Sequence, residues 1–180
     1  MAILIVEGTD LAGKTYVIER IAKFFNSGFI LKNTYKPHTS LDTRKIYAQY
    51  WNLYYMAWVY NVADPTNLVL LDRFYPSQAV YSIKRGRDEI DSSDVSLIEA
   101  KLHSDKTSIL YLDTPLEEME KRYDKRGDEH IRKEELKMLK ERYELFLSKT
   151  KLNVIRVNTM EENWFENLVP KIEKLGVKKK

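Results

Sequence analysis

The residues from Gly8 to Thr15, Gly-Thr-Asp-Leu-Ala-Gly-Lys-Thr, hold a glycine, four residues and then Gly-Lys-Thr. Residues of these types at this spacing can grip a polyphosphate. Glycine lets several backbone N–H groups face one point, a lysine reaches the β- and γ-phosphates of a nucleoside triphosphate, and a threonine hydroxyl can ligate Mg2+. The motif predicts a segment binding ATP and Mg2+, made of Gly8, Thr9, Asp10, Leu11, Ala12, Gly13, Lys14, Thr15 and the adjoining Tyr16, with Thr15 as a metal ligand. A second set is Asp72-Arg73, directly after the apolar run Leu68 to Leu71. An aspartate there can hold the water shell of Mg2+, and an arginine can pair with phosphate oxygens in a bidentate way. The alternative is structural, with Asp72 capping the next helix and Arg73 in an ion pair. Asp113, after another apolar run, repeats the pattern, but Thr114-Pro115 gives it a role at a helix start, so it ranks below Asp72. A third set is the charged stretch Lys121 to Arg132, with Arg122, Arg126 and Arg132. It reads either as a solvated face or as a lid over about residues 122–132 whose arginines close over phosphates, excluding water and neutralising charge.

These residues need elements to position them. Ala2 to Val6 reads as a strand and Tyr16 to Phe25 as a helix with an apolar face through Val17, Ile18, Ile21 and Ala22. The Gly-rich stretch thus lies between strand and helix, where the helix N-terminus adds its positive dipole. Asn26-Ser27-Gly28 stops the helix and Phe29-Ile30-Leu31 begins a second strand. The loop Asn33 to Leu41, with Lys36, faces a ligand or merely connects. Thr43 to Ala63 reads as one long helix with Tyr47, Tyr50, Trp51, Tyr54, Tyr55, Trp58 and Tyr60, too many aromatics for one buried stripe. Core packing and a wall that stacks a base are both open for them, Trp51 and Tyr54 being candidates for the wall. Strands follow at Asn67 to Asp72, Ser108 to Asp113 and Val154 to Val157; helices follow at Ser77 to Lys84, Val95 to Leu102, after Thr114-Pro115, Lys133 to Ser148 and Trp164 to Leu175. Five strands interleaved with helices predict a three-layer α/β fold, a five-stranded parallel sheet flanked by helices, in a single domain over residues 1–180. In such sheets ligands bind at the C-terminal edge, where Gly8 and Asp72 both fall.

Composition narrows the class further. With 43% hydrophobic and 32% charged residues the chain reads as folded, not disordered. Cysteine is absent, which excludes disulfides and thiolate metal sites, and His38, His103 and His130 are too scattered for a zinc cluster. A net charge of +3 is too small for a nucleic-acid footprint but suits an anionic ligand. No apolar run approaches a membrane span and the N-terminal run is too short for a signal peptide, so a cytoplasmic protein is expected.

Glu7 to Thr15, Asp72-Arg73-Phe74 with Ser77 and Tyr81, and the arginine-rich stretch after Leu112-Asp113-Thr114-Pro115 together resemble thymidylate kinases, in order and spacing through most of the chain. The resemblance implies that Lys14 and Thr15 bind ATP and Mg2+, that Asp10 contacts the deoxyribose 3′-hydroxyl, and that Asp72 and Arg73 work at the metal and the acceptor phosphate. It implies that Arg122, Arg126 and Arg132 approach the transferred phosphoryl group, the catalytic arginine coming from the lid because Leu11 stands where some members have a basic residue. Glu7, Asp10, Lys36, Trp51, Tyr54, Arg73, Ser77 and Tyr81 are then the expected acceptor-site residues. Tyr35-Lys36-Pro37-His38 replaces the family's Arg-Glu-Pro-Gly type segment, and Ser82 stands where a glutamine is usual. The chain is also short for the family, which points to a divergent, viral-type member.

Three functions follow. The first is transfer of the ATP γ-phosphoryl group to a deoxynucleoside monophosphate, dTMP foremost. The second is transfer to a hydroxyl group of a deoxynucleoside or of a hydroxymethylated base in DNA, which needs a general base from Glu7, Asp10 or Asp72. The third is nucleotide binding without transfer. DNA is a partner only in the second case, no membrane partner is expected, and a homodimer stays open.

Overall fold

A computed structural model of the chain describes residues 2–25, 29–32, 54, 67–81, 92–102, 104–129 and 131–180. Apolar and β-branched runs form strands β1 (Ala2–Glu7), β2 (Phe29–Lys32), β3 (Leu68–Asp72), β4 (Thr107–Leu112) and β5 (Asn153–Val157). They pair in parallel in the order β2-β3-β1-β4-β5. The helices are α1 (Lys14–Phe24), α2 (Tyr75–Tyr81), α3 (Ser92–Lys101), α4 (Leu116–Arg126), α5 (Glu135–Leu147) and α6 (Trp164–Glu173).

Alternation along each strand divides the core in two. Ile3, Ile5, Val69, Leu71, Ile109 and Tyr111 point to one face, where Tyr75 and Val80 of α2, Ile98 of α3 and Leu136, Leu139 and Tyr143 of α5 cover them. Leu4, Val6, Leu68, Leu70, Leu110 and Leu112 point to the other, covered by Val17, Ile18 and Ile21 of α1 and by Phe165, Leu168 and Ile172 of α6. The result is a helix–sheet–helix sandwich, the parallel sheet with flanking helices that the sequence predicts. Strand β1 lies centrally between β3 and β4, buried on both faces as parallel strands are. The chain departs from β1 at the switch between its two neighbours, the place where open parallel sheets bind ligands.

Helix boundaries move for local reasons. Helix α1 starts at Lys14, two residues before the expected Tyr16, because Gly13 takes a left-handed φ of 93° at the cap and turns the chain directly into helix. Helix α2 starts at Tyr75, not Ser77, because the Glu7 carboxylate, far away in sequence, accepts the Phe74 and Ser77 N–H groups that would otherwise lack partners. Helix α3 starts at Ser92, three residues before the expected Val95. The loop with Lys36 and the helix with Trp51 lie outside the described residues, Tyr54 excepted. Among the described residues no helix is long and apolar enough to cross a membrane, and no group of three or more His, Asp or Glu side chains could hold a metal ion.

Candidate functional site

The loop from Gly8 to Gly13 leaves β1 and enters α1, and its glycines are fixed by space as well as by dihedral angle. Gly8 has φ 153°, and a Cβ there would lie 3.2 Å from both Cβ and the carbonyl oxygen of Leu112. A Cβ on Gly13 would lie 3.3 Å from an Arg122 guanidinium nitrogen. Leu11 adopts φ 67° without being glycine, a conformation that persists only where the surroundings hold it. Three side chains do so. Lys14 Nζ donates to the carbonyl oxygens of Gly8 (3.0 Å) and Thr9 (2.7 Å), Arg122 to that of Leu11 (2.8 Å) and Thr114 to that of Ala12 (3.0 Å). The Thr9 hydroxyl lies against the sulfur of Met119 on α4.

Beside the loop, Arg73 leaves the end of β3 with φ 65°, and its N–H donates to Val6 across the strand. The left-handed turn brings its guanidinium beside the loop. There it pairs with Asp10, donates to Ser77 Oγ (2.9 Å) and the Tyr143 hydroxyl (3.2 Å), and lies 5.0 Å from the centre of the Tyr81 ring. Tyr81 in turn donates to the other Asp10 oxygen (3.0 Å). Glu7 is fully buried behind this pair; burial pushes its carboxyl upward in pKa, opposed by Arg73 and by hydrogen bonds from Ser77, Phe74 and Tyr143. Its oxygens accept from the Phe74 N–H (2.8 Å), the Ser77 hydroxyl (2.6 Å) and the Tyr143 hydroxyl (2.9 Å). Lys14 is pushed down to about 7 by burial and by the Arg73 charge, against the pull of Asp10, Glu7 and Asp72.

Loop, strand end and α4 enclose a cleft of about 670 Å3. Among the described residues its walls are Asp10, Leu11, Gly13, Lys14, Thr15, Tyr16, Glu19, Asp72, Arg73, Arg126 and Asp128. The structure therefore brings together the loop, Asp72, Arg73 and one arginine of the 122–132 stretch. Among the described residues the Asp72 side chain makes no hydrogen bond or ion pair, and Thr15 is exposed at the start of α1. A carboxylate and a hydroxyl free to coordinate are what a hard divalent cation requires, so this pair fits Mg2+.

Several expected residues stand elsewhere. Glu7, Ser77 and Tyr81 do not line the cleft; they sit behind Asp10 and Arg73 and hold them, because a buried carboxylate must spend its oxygens on nearby donors. Tyr54 is buried in the core on the α2 and α5 side of the sheet. Of the arginines, Arg122 braces the loop backbone and Arg126 lines the cleft, while the Arg132 side chain is 80% exposed and pairs with Glu135 at 3.6 Å. The chain turns away at Gly127, where φ is 66°, and Ile131 sinks into the core, so Arg132 faces outward. Asp113 pairs with Lys140 (2.6 Å) and Arg156 (3.4 Å) and makes no cap hydrogen bond at the start of α4. Sequence reasoning missed Tyr143, Thr114 and Met119. Tyr143 sits at a core position of an amphipathic helix, and nothing local marks its hydroxyl as a partner of Glu7 and Arg73.

A parallel sheet in this order, a Gly-rich loop leading from its central strand into a helix, and a cleft at that loop define a P-loop kinase-like fold. No family model and no curated protein matches the chain. Among solved structures it is similar to the YorR protein from Bacillus subtilis in complex with phosphorylated GDP, with TM-score 0.75, 22% identity and 97% of each chain covered. It is also similar to the deoxyadenosine kinase from M. mycoides with bound dATP, with TM-score 0.56 and 16% identity over 96% of this chain and 100% of that one. The same kinase with the products dCMP and a flexible dCDP bound gives TM-score 0.54 at 16% identity, over 95% of this chain and 98% of that one. The likeness at these identities is one of fold.

Proposed function

We propose that this chain transfers the γ-phosphoryl group of ATP to a deoxynucleoside monophosphate, dTMP foremost, in the presence of Mg2+. The observation that carries this reading is the convergence of Lys14, Thr15, Asp72, Arg73 and Arg126 on one cleft at the C-terminal edge of the sheet. Phosphoryl transfer is mostly positioning and charge stabilisation, and these groups offer both. The inward-turning loop and the α1 N-terminus cradle the triphosphate, and Lys14 shifts from its backbone acceptors to phosphate oxygens. Thr15 and Asp72 would hold Mg2+, which when bound supplies positive charge at the phosphates. Arg73 presents a guanidinium to the acceptor phosphate, Asp10 beside it serves the deoxyribose 3′-hydroxyl, and Arg126 meets the charge that spreads over the moving group.

A second reading, transfer to a hydroxyl acceptor, is favoured by one specific observation. Asp10 already balances the charge of Arg73, whereas the Asp72 side chain makes no hydrogen bond or ion pair among the described residues and so is open to act as a general base. The fold shared with a deoxyadenosine kinase is in keeping with it. Labelled ATP offered with a panel of nucleosides, nucleoside monophosphates and hydroxymethylated DNA separates the two. Label appearing on dTMP or another monophosphate supports the first reading, and label only on nucleosides or DNA replaces it with the second.

Arg73→Lys is the sharper probe of the acceptor phosphate. Alanine would leave the Asp10 and buried Glu7 carboxylates without their counter-charge, whereas lysine keeps the charge and loses the fork. The expected result is a KM for dTMP raised about tenfold or more, the equivalent of 1.4 kcal/mol, with the KM for ATP little changed. A raised KM for ATP alone would move Arg73 to the donor side.

Proton uptake tests the Lys14 assignment without measuring turnover. With a pKa near 7 the free side chain is mostly neutral at pH 8, and an adjacent phosphate favours its charged form. ATP binding at pH 8 is therefore expected to take up close to one proton, falling away below pH 7. Calorimetry in two buffers of different ionisation enthalpy reads this directly, and no uptake at pH 8 would mean that the ammonium does not meet the phosphate.

A further inference from the structure

Tyr143, in the middle of α5, is fully buried and does not line the cleft, yet three side chains of the site meet at its hydroxyl. The hydroxyl donates to Glu7 (2.9 Å), accepts from Arg73 Nη1 (3.2 Å) and lies 3.1 Å from Ser77 Oγ. Ser77 Oγ accepts from the same Arg73 nitrogen at 2.9 Å. The two N–H groups of Nη1 thus have one oxygen each, and those two oxygens fix the direction of that edge of the guanidinium. Nη2 faces Asp10, with the Tyr81 hydroxyl at 3.5 Å, the outer limit of a hydrogen bond. Ser77 and Tyr143 stand behind the cleft and Asp10 lines it, so the least engaged N–H of Arg73 is on the cleft side. The Tyr143 ring is fixed in its turn, 5.5 Å from the Tyr111 ring and 6.3 Å from that of Tyr81. A purely structural hydroxyl would serve Glu7, but Glu7 does not depend on it. The Ser77 hydroxyl donates to the same Glu7 oxygen at 2.6 Å, and the Phe74 and Ser77 N–H groups donate to the other. Arg73 is the group that loses an acceptor when the Tyr143 hydroxyl goes.

We propose that Tyr143 is a positioning residue for the acceptor: its hydroxyl holds the Arg73 guanidinium in the plane that turns an Nη2 N–H toward the acceptor phosphate. This rests on the reading that Arg73 meets that phosphate. Recognition of phosphate by a guanidinium depends on the orientation of its planar fork, so a residue that never touches the substrate can still set the affinity for it. Helix α5 thereby contributes to acceptor binding from behind the site.

Tyr143→Phe keeps the ring and removes only the hydroxyl. With the full chain and the nucleoside monophosphate that takes label from ATP, it is expected to raise the acceptor KM about fivefold, the factor that one hydrogen bond of average net strength supplies. The KM for ATP is expected to stay within about twofold, since no donor-side group loses a partner. In an Arg73→Lys background the same substitution is expected to change the acceptor KM by less than about twofold, because the plane it holds is gone; lost packing would not produce that non-additivity. Arginine labelled with 15N in the guanidinium gives a readout without turnover. The Arg73 signals, assigned by their absence in Arg73→Lys, should show slow rotation about Nε–Cζ in the unsubstituted protein and rotation about fivefold faster in Tyr143→Phe. If Tyr143→Phe fails to fold by circular dichroism, the unsubstituted protein decides alone: slow rotation of Arg73 supports the proposal and fast rotation overturns it. Equal rises in both KM values, independent effects in the two backgrounds, or rotation unchanged by Tyr143→Phe also overturn it. Label on no monophosphate removes the underlying reading and the proposal with it; rotation that still responds to Tyr143→Phe then tells that failure from a failure of the Tyr143 contact.

Discussion

Lys14→Ala is expected to lower kcat/KM for phosphoryl transfer by about 10³ or more while shifting Tm by less than about 5 °C. The first half follows from position. Lys14 is the one lysine among the described residues of the cleft wall, and its Nζ is held over the loop by the carbonyls of Gly8 and Thr9. Fixed charge aimed at a developing phosphoryl charge typically accounts for several kcal/mol of barrier. The second half follows from offsetting effects on the fold. The substitution removes two hydrogen bonds, each contributing about 1 kcal/mol net, but it also removes a cation that burial and Arg73 disfavour. In a chain of this size about 1 kcal/mol corresponds to 2–4 °C. Near-normal turnover with intact Tm would remove the phosphate-loop assignment; a collapse of Tm would show that the lysine is structural.

The second large effect separates three arginines that look alike in sequence. Arg126→Ala is expected to lower kcat by about 10³ with ATP binding little changed, the pattern of an arginine that acts on transition-state charge. Arg126 alone of the three both lines the cleft and lies on the last turn of α4, from which it reaches the space above the loop. Arg122→Ala is expected to weaken ATP binding and turnover together, since its guanidinium donates to Leu11 and braces the loop in its left-handed turn. Arg132→Ala is expected to change either parameter by less than about threefold, as exposed ion pairs contribute little. Steady-state kinetics on the three single variants decide it. Equal effects at Arg126 and Arg132 would mean that the chain after Gly127 rearranges during transfer.

The contrast among these arginines shows where a sequence stops informing. The strands and the loop were legible because their signals are local: four-residue apolar runs, a Gly-Lys-Thr after one of them, a 3.6-residue period after that. The cleft edge was legible too, since Asp72 follows Leu71 in the same strand. Partner choice was not. Glu7 reads as a candidate acid in a phosphate-binding segment, yet it is a buried anchor, because Tyr143 and Ser77 reach it from helices 136 and 70 residues away. Arg132 is as basic as Arg126, and only the turn at Gly127, with Ile131 drawn into the core, sends it outward. Tyr54 illustrates the same limit, since an aromatic at helical spacing reads as core or as ligand wall; in the structure it is buried with the core cluster on the α2 and α5 side of the sheet.

The left-handed conformation of Arg73 has an evolutionary consequence. A side chain other than glycine held there costs of order 1–3 kcal/mol, so position 73 is one where Gly or Asn relieves the backbone. Such a change alone strands Asp10 and the buried Glu7 without their cation, which costs more than the relief returns. Substitutions at 7, 10, 73 and 143 should therefore be strongly epistatic: each is harmful singly, and tolerated only as a coordinated replacement of the whole charge-balanced set. A lineage that abandoned the chemistry of this cleft would be recognisable by glycine or asparagine at 73 together with neutral residues at 7 and 10, the rest of the fold unchanged.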